Sequence, residues 1–184
     1  MINADVDARD LVTGEKIVTP GDNTNSAGVF QVLVPEGELE IEIDPPTGST
    51  LVPLLQNVTV SATGTNMGVL TMQEGVAVSG LVVDGNASPV SGTDLDFIIS
   101  ATGVEIPTAN DNANSVGVFS VQVVPNTYDI AFRPSFITGL APLVLPAISV
   151  GTLLDGLPCC FATTSTLNDS TCSFIPTTTK RMNS

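Results

Sequence analysis

The chain has 184 residues, 19 acidic against 5 basic, and a formal net charge of −14, with no His and no Trp. Without clustered Lys or Arg it cannot displace the counterions of a nucleic acid or hold an anionic membrane surface. Without His it lacks Ser-His and Cys-His nucleophile pairs, His-ligated zinc and the usual general base near neutral pH, so it is expected not to be an enzyme.

The first residues, MINADVD, have no basic start and no apolar stretch, so they do not form a signal peptide. Residues 4–55 then recur, without a gap, as residues 93–144. Asp5, Asp7, Thr13, Gly14, Asp22, Asn23, Asn25, Ser26, Gly28, Val29, Phe30, Val32, Val34, Ile41, Pro45 and Pro53 all return 89 positions later. A repeat of this kind decides the fold argument before any local pattern does. It predicts two tandem modules, residues 1–74 and 75–157, followed by an irregular or disordered tail at 158–184.

Within the first module, VFQVLVP and ELEIEID predict two strands joined by a hairpin turn near Glu36-Gly37. Leu39, Ile41 and Ile43 fall on one face, and Glu38, Glu40, Glu42 and Asp44 on the other. That is the period of a half-buried strand. LVPLLQNVTVSATG continues as strand and loop. In the second module VAVSGLVV reads as an opening strand and Asp84-Gly85-Asn86 as a turn. VFSVQVV (118–124) and TYDIAFR (127–133) predict a hairpin at Pro125-Asn126. Shifted back by the repeat, the opening strand falls before Met1. The first module is therefore expected to lack it and to show an unpaired sheet edge open to strand addition. Residues 139–161 are apolar, but Pro142, Pro146 and Asp155 and the matching strand region of the first module argue against membrane insertion. Cys159, Cys160 and Cys172 fit neither a zinc nor a redox spacing and read as features of the tail.

The pattern Val78, Gly80, Val82, Asp84, Gly85, Pro89, Val90, Gly92, then Asp94-Leu95-Asp96, Thr108, Gly117, Phe119 and Tyr128-Asp129-Ile130 resembles carboxypeptidase regulatory-like domains. The likeness covers the second module and, minus its first strand, the first; Leu39 stands where Tyr128 stands. It implies an all-β chain of two tandem Ig-like, transthyretin-like β-sandwich modules. It also implies a non-catalytic role as spacer or stalk in a secreted or cell-surface protein, of bacteria as a rule, beside neighbouring modules of the same kind. The alternative left open is a binding module for Ca²⁺, a glycan or a protein ligand within an adhesin or secreted enzyme.

The candidate ligand residues are Asp5, Asp7 and Asp22, repeated as Asp94, Asp96 and Asp111. Asp5 and Asp7, like Asp94 and Asp96, share one strand face. Asn23, Asn25, Asn112 and Asn114 add oxygen donors of the type Ca²⁺ takes. The spacing departs from the Ca²⁺ loop pattern, because Thr24 and Ala113 fall where ligands belong. The competing reading is a solvated strand face beside an Asx-rich turn. A glycosidase acid-base pair is disfavoured: the pair is duplicated on one strand with no aromatic subsite. No cofactor is expected beyond that Ca²⁺ alternative. In Gly28-Val29-Phe30 and Gly117-Val118-Phe119, Gly supplies a turn conformation and Phe anchors a core, so Phe30→Ala is expected to cost roughly 3–5 kcal/mol.

Overall fold

The computed structural model describes residues 1–151. Strands are their only regular elements apart from one 3-10 turn at Phe136–Thr138. Contacts divide the chain into a unit at Met1–Glu74 and another beginning at Gly75. The predicted tail and the three Cys lie outside the described residues.

Unit one has four strands, β1 (Asp5–Asp10), β2 (Lys16–Ile17), β3 (Gly37–Asp44) and β4 (Leu54–Val60), in one antiparallel sheet of order β2-β1-β3-β4. β3 carries the alternation through: Leu39, Ile41 and Ile43 are buried, and the acidic residues between them lie on the other face. Val6 sits opposite Ile43 and Ala8 opposite Ile41, so β1 and β3 bury the same face. β1 ends where the Asp10 carboxylate accepts the N–H groups of Val12 and Thr13 at 2.7 and 2.9 Å, an Asx turn that reverses the chain.

Unit two has β5 (Val76–Leu81), β6 (Asp94–Ile99), β7 (Val104–Ile106), β8 (Val118–Val123), β9 (Asn126–Arg133) and β10 (Leu143–Val150). Its four-stranded sheet, β10-β9-β6-β7, is the repeat of the sheet in unit one, strand for strand. A second sheet, β5-β8, belongs to unit two alone among the described residues. Between the two sheets lies the core: Leu95, Phe97, Tyr128, Ile130 and Phe132 from one side, Phe119, Val121 and Val123 from the other. Two edge-to-face ring pairs, Phe97 with Tyr128 at 5.7 Å and Phe119 with Phe132 at 5.8 Å, run through it. Such pairs add about 0.5–1.5 kcal/mol beyond the area they bury.

Neither predicted hairpin forms. β8 pairs with β5, and β9 pairs with β6 and β10, so residues 118–124 and 127–133 face each other across the core instead of sharing a ladder. The Tyr128 hydroxyl donates to the Val124 carbonyl at 2.7 Å and pins the crossing between sheets. Alternation looks the same for two paired strands and for two strands that face each other, which is why the pattern misled. In unit one both edges of β3 are taken by β1 and β4, and residues 29–34 form no strand. They follow the same alternation, with Phe30, Val32 and Val34 partly buried against the core and Val29 and Leu33 exposed. Phe30 packs against the core as expected and is partly buried, since among the described residues no strand pairs with residues 29–34 as β5 pairs with β8.

The cores differ in bulk. Val6, Ala8, Leu39, Ile41 and Ile43 stand where unit two has Leu95, Phe97, Tyr128, Ile130 and Phe132. Met67, Leu70 and Met72 pack on the smaller core of unit one. One exchange is compensated. In unit one the Ala4 N–H donates to Thr24 Oγ1 at 2.8 Å, and both residues are buried. In unit two the types are reversed, with buried Thr93 on the strand side and buried Ala113 on the loop side. The summed volume is unchanged, as close packing requires.

Candidate functional site

The acidic residues of unit one are gathered by strand alternation. On the face opposite the core, Asp5 of β1 lies across from Asp44 of β3, and Asp7 across from Glu42. Like charges directly opposite one another in a ladder repel. Two cations offset this: Lys16 Nζ lies 2.6 Å from Asp7 Oδ2, and Arg9 Nε lies 4.0 Å from Glu40 Oε1. The Asp7 hydrogen bond holds the Lys16 ammonium above its ordinary pKa. Among the described residues no cation forms an ion pair with Glu42, and Arg9 lowers its pKa only weakly. Its carboxyl is pushed up, first by burial and then by Asp44, Asp7 and Glu40. Asp5 is raised as well, first by burial, then by Asp22 and Asp7. A shallow concavity of about 70 Å³ lies between Asp7, Ala8, Arg9, Lys16, Glu40 and Glu42. It has room for a few waters at roughly 30 Å³ each.

Unit two solves the same problem from another strand. Asp96 Oδ2 is buried and meets Arg133 Nε of β9 in an ion pair, not an aligned hydrogen bond. Asp94 lies across from Arg133. The position of Arg133 is Asp44 in unit one, and the position of Lys16 is Glu105 in unit two. The repeated Asp therefore keeps a cation in each copy while the cation changes strand.

Asp22 and Asp111 are held alike. Thr19 Oγ1 donates to Asp22 Oδ2 at 2.7 Å, and Thr108 Oγ1 to Asp111 Oδ2 at 2.6 Å. The Asp111 carboxyl is nonetheless raised, chiefly by burial, against the lowering effect of the Thr108 bond and with the help of Asp94 and Asp96. Asn23 Nδ2 reaches Asp5 Oδ1 at 3.5 Å, and Asn112 Nδ2 reaches Asp111 Oδ1 at 3.3 Å. Asn25 Oδ1 accepts the N–H groups of Ala27 and Val29, and Asn114 Oδ1 those of Val116 and Val118. The Asn25 and Asn114 oxygens are thus engaged in building an Asx turn. Gly28 and Gly117 close the two turns at φ of +75° and +77°.

The sequence-predicted acidic residues therefore come together in neighbouring strands and turns, while Asn25 and Asn114 spend their oxygens on backbone. Among the described residues no three His, Cys, Asp or Glu side chains form a grouping suited to a metal ion. Sequence reasoning missed Lys16, Arg133 and Glu42. The signal for Lys16 and Arg133 was present: they are two of only three basic residues before position 180, and both fall on strands beside the repeated Asp pairs.

Replacing Glu42 by Gln should stabilise unit one at pH 7. A carboxyl whose pKa is raised on folding favours the folded state at low pH, and that contribution is lost as pH rises through the folded value. With solvent screening the gain is roughly 0.5 kcal/mol, a rise of roughly 2–4 °C in melting temperature for a unit of this size. Melts of the Glu42→Gln chain should show the gain fading as pH falls through the carboxylate range. A gain that grew toward low pH would contradict this account.

No family model, no curated protein and no solved structure matches this chain. No helix of the described residues is long and apolar enough to cross a membrane.

Proposed function

We propose that this chain is a non-catalytic pair of β-sandwich modules of the carboxypeptidase regulatory-like kind, serving as spacer or stalk in a secreted or cell-surface protein. The observation that supports this most is the use made of the duplicated polar residues. Asp7 and Asp96 neutralise cations, Asp22 and Asp111 accept from threonines of their own unit, and Asn25 and Asn114 cap turns. Duplication has preserved groups that hold each module together, and an acidic surface keeps such modules from adhering to one another.

A glycan array and a calorimetric titration with millimolar Ca²⁺ test the reading on the full chain. The expected result is no glycan bound and no heat with Ca²⁺. Saturable glycan binding abolished by a surface substitution, or Ca²⁺ heat abolished by Asp5→Asn with Asp94→Asn, would replace the spacer with a binding module.

A further inference from the structure

The sequence holds three Asn-X-Ser/Thr triplets, the acceptor pattern for N-linked sugar. Asn57-Val58-Thr59 lies in β4, Asn86-Ala87-Ser88 in the turn after β5, and Asn168-Asp169-Ser170 outside the described residues. The structure separates the first two. Residues i and i+2 of a strand share a face, so Asn57 and Thr59 present amide and hydroxyl together, and both are exposed. Asn57 lies across from Glu40, on the face away from the core. Asn86 sits in a tight turn instead. There Asp84 Oδ1 accepts the N–H groups of Asn86 and Ser88, Ala87 is left-handed at φ +63°, and Pro89 follows.

Given a secreted chain, as proposed above, we infer that Asn57 is a glycosylation site whose sugar shields the edge of β4. Among the described residues no strand pairs with β4 on the side away from β3. β4 pairs with β3 at seven consecutive positions, without a bulge, a proline or a charge. A straight, uncharged edge of this kind is open to pairing with other chains. The Asn57 and Thr59 carbonyls accept from Gln56 Nε2 at 3.0 Å and Thr65 Oγ1 at 3.1 Å, so these alternate residues turn their backbone groups to that edge. In unit two the edge strand is blunted at the same place in the repeat. Pro146 stands where Asn57 does, the register of β10 shifts between Leu145 and Ile148, and Ala147 takes φ +56° with its N–H held by Asp129 Oδ1 at 2.8 Å. One position thus guards the edge in each copy, by proline in one and by an acceptor amide in the other.

In the transfer, Asn57 Nδ2 forms a bond to C1 of a sugar carried on a lipid pyrophosphate. The C1–O bond breaks, the lipid pyrophosphate leaves with the electron pair, and one Nδ2 proton passes to a carboxylate of the transferring enzyme. In the folded sheet the Thr59 hydroxyl is taken by Glu38 Oε1 at 2.7 Å, which places the transfer before β4 docks on β3. The folded sheet then carries the sugar without rearrangement, because the Asn57 side chain is exposed.

The test is the full chain, secreted behind a cleavable signal by a eukaryotic cell that glycosylates its exported proteins. Mass spectrometry should find sugar on Asn57. Asn57→Gln and Thr59→Ala should each lose all of it, and Thr59→Ser should retain it. By light scattering the sugar-bearing chain should stay monomeric at concentrations where Asn57→Gln self-associates. Asn57→Pro, which copies the blunted edge of unit two, should be monomeric without sugar, and unchanged exchange of the β3 amides would show that its sheet is intact. A bare Asn57 in the secreted chain, or an Asn57→Gln chain as monomeric as its sugar-bearing parent, would overturn the proposal. Neither result bears on the spacer role, which fails instead on glycan or Ca²⁺ binding.

Discussion

Phe119→Ala is expected to cost unit two about 3–5 kcal/mol, whereas Phe30→Ala, at the same place in the repeat, should cost roughly 1–2 kcal/mol. Phe119 is 6% exposed, packs edge-to-face on Phe132 and is closed off by β5 above Gly80. Removing its ring leaves a cavity that two sheets cannot close. Phe30 already borders solvent, so its removal leaves little void. The single tyrosine, Tyr128, lies in the core of unit two and reports its unfolding in urea. Exchange of the β3 amides reports on unit one. Equal losses at the two positions would mean that residues 29–34 are covered as fully as β8.

Gly117→Ala should destabilise unit two by roughly 2–4 kcal/mol, and Gly103→Ala by only about 1–2 kcal/mol. Both glycines have positive φ, +77° and +70°. The difference is space. A Cβ on Gly117 would come within 2.6 Å of the Val82 carbonyl oxygen, which is held by the Val90 N–H, while nothing lies within 4 Å of one on Gly103. The Gly103 variant thus measures the cost of a left-handed residue alone. The excess at Gly117 measures the displacement of the chain between β5 and the following turn. Urea melts of the two variants, followed by Tyr128, separate the terms; similar losses would show that the Val82 segment yields freely.

Much of this architecture was legible in the residues, for reasons that can be located. The alternation in ELEIEID is complete, so β3 and its buried face followed from period alone. The Asp84 turn followed from side-chain chemistry, and its carboxylate does accept the N–H groups of Asn86 and Ser88. The repeat carried the sheet of one unit onto the other. Pairing was not legible. VFSVQVV and TYDIAFR alternate as hairpin strands do, and only the Tyr128 hydroxyl, aimed back at Val124, distinguishes a crossing between sheets from a turn within one. At the acidic site the strand face could be read from Asp5 and Asp7, but the cation could not. Lys16 serves one copy and Arg133 the other, from strands on opposite sides of the repeated Asp, so no shared spacing links them.

The exchanged threonine and alanine bear on how two near-copies fold within one chain. Tandem repeats of similar sequence risk trapping one another's strands during folding. If β1 took the place of β6, Ala4 would meet Ala113, leaving a void and no hydroxyl for the backbone. If β6 took the place of β1, Thr93 would crowd Thr24. Either hybrid is worse than both parents, although each parent holds one threonine and one alanine. A reciprocal difference of two residue types thus acts as a recognition code between kin strands, one that discourages the wrong assembly without adding a contact to the right one.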